Sequence, residues 1–77
     1  MSKSLRSDRA DALRGLLVQA RKDSNLTQIE LARKLGKPQS FVSKFERGER
    51  RLDVVEFLDV ARAIGADPHR ILKRVDR

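Results

Sequence analysis

Apolar side chains recur along this chain at intervals of three and four, the spacing that lines up one face of an α-helix. Leu13, Leu16, Leu17 and Ala20 form one such stripe and predict a first helix from about Asp8 to Lys22. Asp8 and Asp11 lie in its first turn and Arg21 and Lys22 in its last, as the helix macrodipole favours. Asp23-Ser-Asn25 ends it. Ile29, Leu31, Ala32 and Leu35 supply the apolar contacts of a second helix. Thr27 with Glu30 three residues on has capping-box spacing, Leu26 and Leu31 can staple the start, and Gly36 provides the left-handed stop. A third helix begins around Pro38, which a first turn tolerates, and ends at Gly48. After the charged loop Glu49-Arg-Arg51, Asp53 and Glu56 form a second capping pair that opens a fourth helix. Its expected buried face is Val54, Phe57, Leu58, Ala61 and Ile64, and Gly65 terminates it. Asp67 and Pro68, an N-cap followed by a proline at the first helical position, open a short fifth helix with Ile71 and Leu72. No segment alternates with the period of a strand. The pattern predicts an all-α, compact five-helix domain over residues 8–77, preceded by a flexible basic arm at residues 1–7.

Size and charge narrow what such a domain does. Seventy-seven residues make one domain, small enough that a single apolar core is near its lower limit. Cysteine is absent, which removes disulfides, thiolate metal sites and thiol nucleophiles and fits the cytoplasm. No apolar run approaches the roughly 20 residues needed to cross a bilayer, and Met1-Ser-Lys-Ser-Leu-Arg lacks the apolar core of a signal peptide. Eighteen Lys and Arg against eleven Asp and Glu give a net charge of +7, which points to a polyanionic partner, nucleic acid before membrane. The excess is uneven. Residues 1–22 carry six basic and two acidic groups (+4), residues 23–48 five and three (+2), and residues 49–77 seven and six (+1).

The third helix carries the candidate chemistry. At about 100° per residue, Val42 and Phe45 point one way with Glu46 beside them, Phe41 lies on the flank, and Gln39, Ser40, Ser43, Lys44 and Arg47 point outward. Gln39 can pair with adenine N6 and N7, Ser40 and Ser43 can approach a base edge or phosphate, and Lys44 can reach guanine or the backbone. Arg47, a turn further on, falls over phosphates. The start of the second helix, at Thr27 and Gln28, offers N–H groups to a phosphate. Arg50 and Arg51 in the following loop and Lys37 in the turn are further backbone candidates. Lys3, Arg6 and Arg9 can form an arm along phosphates or in a minor groove. Glu46 points inward, and a half-buried lone carboxylate is costly, so it should have a cationic partner.

The remaining chemistry is sparse. His69 has no cysteine or second histidine near it, so no metal site is expected. Asp53 and Glu56 are caps by spacing, and with Asp59 they lack any nucleophile, oxyanion donor or ligand set. No enzyme activity and no cofactor are expected. Phe41, Phe45 and Phe57 suit packing better than a base-stacking platform.

Leu26-Thr-Gln-Ile-Glu-Leu-Ala, then Leu35-Gly36, then Gln39-Ser-Phe-Val-Ser-Lys-Phe-Glu-Arg-Gly48 resembles the Cro and phage-repressor (XRE-like) helix-turn-helix family. The resemblance covers residues 8–72 and implies a lambda-repressor-like fold with the helix-turn-helix at helices two and three. It implies that Gln39, Ser40 and Lys44 face bases, that Ser43 and Arg47 lie near the backbone, and that Gln28 contacts a phosphate and buttresses Gln39. It further implies an ion pair between Arg21 and Glu46. Pro38 departs from the family, which often has Ser or Thr there as N-cap. The implied function is a transcriptional regulator, a repressor by occlusion of polymerase, that binds a near-palindromic double-stranded operator as a homodimer. One short helix touches too few bases to select a site alone. Helices four and five would supply the dimer contact, with Ile71, Leu72 and Val75 as candidates, although Ile71 and Leu72 suit a core equally. The competing reading is an antitoxin-like module whose main partner is another protein.

Overall fold

The computed structural model describes residues 7–76. Five helices form in chain order among them: α1 (Asp8–Asp23), α2 (Gln28–Leu35), α3 (Gln39–Glu46), α4 (Val54–Ile64) and α5 (Pro68–Val75). Ser7, at the end of the expected arm, belongs to the domain. Its hydroxyl accepts the Ala10 N–H at 3.0 Å and caps α1. Arg9 sits in the first turn of that helix and pairs with Asp76 at 3.2 Å, closing the far ends of α1 and α5 on each other. Lys3 and Arg6 lie outside the described residues.

Both expected capping boxes form. The Thr27 hydroxyl accepts the Glu30 N–H at 3.0 Å while the Glu30 carboxylate accepts the Thr27 N–H at 2.9 Å. Asp53 and Glu56 repeat the exchange at 2.7 and 2.9 Å. Gly36 has φ of +67° and ends α2 in the left-handed region, where a Cβ would be strained. α3 starts without a side-chain cap, since Pro38 has no oxygen to offer.

The core joins Leu17 of α1, Leu31 and Ala32 of α2, Val42 and Phe45 of α3, Phe57, Val60, Ala61 and Ile64 of α4, and Ile71 of α5. α3 is held against α2 and α1, whereas α5 packs on α1 and α4. The outer face of α3 is therefore left uncovered at one side of the bundle. The buried stripe of α4 departs from expectation at two positions. Val54 is 73% exposed and Val60, not expected, is fully buried. Cα–Cβ bonds tilt toward a helix's N-terminus, so a first-turn side chain such as Val54 overhangs the bundle, and the buried stripe turns toward Val60 instead. Ile29, in the first turn of α2, is 52% exposed for the same reason.

Candidate nucleic-acid interface

Beneath α3, Arg21 and Glu46 form a parallel two-point pair, Nε to Oε2 at 2.7 Å and Nη2 to Oε1 at 2.9 Å. Their side chains keep only 10% and 6% of their exposure. Isolated, either charge would be prohibitive there; paired and hydrogen-bonded, both are tolerated. The Arg21 Nη1 atom also donates to the Leu26 carbonyl at 2.7 Å, which ties the α1–α2 turn to the same cluster. The family resemblance implied this pair, the helical wheel placed Glu46 inward, and both residues are buried.

A second neighbour of Glu46 was not legible. Gln28 Nε2 donates to Glu46 Oε1 at 2.9 Å, and Gln39 Nε2 donates to Gln28 Oε1 at 3.3 Å. A chain of polar contacts thus runs from the buried Arg21 through Glu46 and Gln28 to the exposed Gln39. Its polarity follows from chemistry. A carboxylate can only accept, so Gln28 must turn its nitrogen inward and its oxygen outward. Gln39 must then spend one N–H on that oxygen. Its carbonyl and its other N–H are left over on an exposed residue, an acceptor and a donor of the kind that complements adenine N6–H and N7 in the major groove.

The other outward residues of α3 are placed unequally. Ser40, Lys44 and Arg47 are exposed. Ser43 is half-buried, and its hydroxyl donates to the Ser40 carbonyl at 3.3 Å, so it is partly occupied within its own helix. Lys44 and Arg51 carry no ion pair among the described residues. Arg47 pairs with Glu49 at 3.0 Å, but both side chains are more than half exposed. Such a surface pair contributes little and gives way readily to a phosphate.

Thr27 and Arg50 depart from expectation. The Thr27 N–H is taken by Glu30 in the capping box, so Thr27 has no amide to hold a phosphate. The amides left open by helix geometry at this terminus are those of Gln28 and Ile29. Arg50 is engaged on two sides. It bonds Glu56 through Nη2 and Nη1 at 2.7 and 3.0 Å, and its guanidinium lies 4.8 Å from the centre of the Phe41 ring. Lys37 Nζ stands 5.4 Å from the same ring, while Phe41 meets Phe45 edge-on at 5.9 Å. The Glu56 bond is the first cause raising the Arg50 pKa. In turn Arg50, followed by the Asp53 N–H, holds Glu56 at about 2, well below 4.5. Arg50 thereby fastens the flank of α3 to the start of α4. Lys37 and Phe41 are only four residues apart in the chain, whereas the Arg50 contact arises only from the tertiary fold.

A four-turn helix carries a capped α2, a glycine stop and an α3 whose outer face is open and polar, and the helix-turn-helix family HTH_3 matches residues 17–71. The chain belongs to the XRE-type helix-turn-helix family. Such a domain is a DNA-binding regulator by family. The solved structures that share the helix-turn-helix fold include the following two. An XRE-family like protein from Pseudomonas syringae pv. tomato str. DC3000 is 54% identical, with a TM-score of 0.86, over 88% of this chain and 83% of that one. The clp gene regulator ClgR from C. glutamicum is 25% identical, with a TM-score of 0.80, over 92% of each chain. No curated protein matches the chain in sequence. No helix among the described residues is long and apolar enough to cross a membrane.

The dimer candidates on α5 separate. Ile71 is 8% exposed and belongs to the core, so it is not free to meet another molecule. Leu72 is 43% exposed, and Val75 is half-buried.

Proposed function

We propose that this protein is a sequence-specific transcriptional regulator, a repressor, that binds a near-palindromic double-stranded operator as a homodimer in the cytoplasm. The observation that carries this reading is the orientation of Gln39. Its amide is aimed outward by a relay rooted in a buried ion pair, which a merely solvated helix face has no reason to maintain. Beside Gln39, Ser40 and Lys44 are the base-facing residues. Lys37, Ser43, Arg47, Arg51 and the second N–H of Gln28 serve the phosphates, together with the amides at the start of α2. The recognition helix spans only a few base pairs, so two copies would read half-sites roughly 34 Å apart. Leu72 and Val75 are the α5 side chains offered to the second copy. Repression would follow from occupying DNA that polymerase needs.

Selection of bound duplexes from a random pool tests this reading. It should enrich one sequence with twofold symmetry. A pool that stays random after repeated rounds, while binding remains salt-sensitive, would leave only non-specific attraction to phosphates.

One observation favours a second reading, an antitoxin-like module whose main partner is a protein. Val54 and Val55 stand together at the start of α4, 73% and 65% exposed, and adjacent exposed apolar side chains can mark a contact surface. That reading predicts an unenriched DNA pool together with a stoichiometric protein partner whose binding is lost in Val55→Asp.

A further inference from the structure

The C-terminal end of the recognition helix has a support of its own. A helix leaves its last carbonyls without intrahelical partners. Here the Ser43 carbonyl receives the Arg47 N–H at 3.0 Å, Lys44 receives Glu49 at 2.9 Å and Phe45 receives Gly48 at 3.1 Å. The Glu46 carbonyl is closed from outside the helix. Arg14, on α1 and 32 residues earlier, donates to it through Nη1 at 3.1 Å. The other arm of the same guanidinium holds Asp11 at 2.8 Å, which fixes it against α1.

The following turn is shaped around this side chain. Gly48 has φ of +79°, and a Cβ there would stand 3.3 Å from Arg14 Nε. Arg14 lies in a groove walled by Leu13, Leu17, Phe45 and Leu52, with only 25% of its side chain exposed. It is thus poorly placed to reach DNA itself. It sits directly under the turn from which Arg47 and Arg51 project, and its charge faces the negative end of the α3 dipole.

We propose that Arg14 is a positioning residue for DNA binding. It closes the end of the recognition helix and holds the Gly48 turn, and so sets where Arg47 meets the phosphate backbone. This rests on the DNA-binding reading above. Both supports meet at Glu46: Arg21 and Gln28 hold its carboxylate and through Gln28 orient the base-reading Gln39, while Arg14 holds its carbonyl and orients the phosphate clamp.

The test compares the full chain with Arg14→Ala, Arg47→Ala and the double variant, all on the duplex recovered by selection. Circular dichroism at the binding temperature establishes that each is folded. Arg14→Ala should weaken binding roughly tenfold and reduce the salt slope by about one. The base preference at Gln39 should be retained. Because Arg14 acts through Arg47, the double variant should lose little more than the worse single. Arg14→Lys keeps the charge and one donor, and it should recover part of the affinity. It also provides a folded variant if alanine does not.

Unchanged affinity in a folded Arg14 variant would overturn the proposal. So would strictly multiplicative losses in the double variant, which would make Arg14 a direct DNA contact. Parallel loss of the base preference would also overturn it, by reducing Arg14 to a general support of the fold. If the wild-type chain binds no duplex, the DNA-binding reading fails first, and Arg14 is not the cause.

Discussion

Glu46 is the residue on which most of the interface converges. It receives Arg21 on both oxygens and Gln28 on one, at the inner face of α3. Removing one partner of a buried pair strands the other charge, which typically costs about 3–5 kcal/mol. Glu46→Ala should therefore lower the melting temperature sharply, and pairing it with Arg21→Ala should recover part of the loss. A melting temperature that does not move would mean the pair contributes nothing. Gln28→Ala is the milder probe. It leaves the ion pair intact but frees the Gln39 amide to rotate, so preference for adenine should weaken although Gln39 is still present. Quantitative binding to paired A·T and G·C duplexes measures that directly.

That Glu46 needs a cationic partner was readable because it falls on the same helical face as Val42 and Phe45, where a lone carboxylate has no place; that the partner is Arg21 came from the family resemblance. The Gln28–Glu46 bond was not readable. It joins two helices across a turn, and spacing in the sequence gives no distance between them. The partners of Arg50 were hidden for a related reason. A loop arginine after a recognition helix looks available, and only the fold reveals Glu56 and Phe41 beside it.

At the level of the helices, start and stop signals were the most legible part of the chain. Thr27 with Glu30, Asp53 with Glu56, and Asp67 before Pro68 each cap as their spacing implies, because capping depends on neighbours two or three residues away. Thr27→Ala should cost about 1 kcal/mol, read as a fall in the denaturant midpoint. Gly15 is the converse case. It lies mid-helix in α1, and a Cβ there would meet nothing within 4 Å. Gly15→Ala should stabilise the domain by about 0.5–1 kcal/mol; a loss of stability would mean α1 is not regular at that point.

Arg50 on Glu56, together with the capping bonds of Glu56 and Glu30, gives the domain an acid sensitivity. Glu56 is held at about 2, against 4.5, and Glu30 is also lowered, by its hydrogen bonds with Thr27. A carboxylate with a depressed folded-state pKa contributes its full stability above the unfolded value. That contribution fades as pH falls from about 4.5 toward 2. Glu56→Gln should accordingly make stability less dependent on pH in that window, as measured by denaturant titrations at pH 7 and pH 3. Equal pH dependence in both proteins would remove Glu56 from the explanation.

Which face of α4 is buried was less legible than its ends. Val54 and Val60 both lie near the edge of the apolar stripe, and composition does not distinguish them. The decision comes from the tilt of first-turn side chains past the end of the bundle.

For the molecule as a whole, the bundle isolates one polar helix face and surrounds it with cations that have few competing partners. Lys44 and Arg51 have no ion pair among the described residues, and Arg47 is held only by an exposed glutamate. The fold and the location of this face were legible because they follow from helical periodicity and capping. The surface that meets a second copy was not, since no periodicity distinguishes a half-buried Val75 or an exposed Leu72 from ordinary surface. Ile71 shows the difficulty, as the core claims it.

The most direct measurement is a set of titrations of the wild type and Gln39→Ala against the selected duplex. Each A·T pair of the half-site is changed to G·C in turn. The wild type should lose about 1–3 kcal/mol at one such pair per half-site, and Gln39→Ala should bind both versions of that pair equally. If Gln39→Ala keeps the wild-type preference at every position, the recognition helix does not read DNA through this residue.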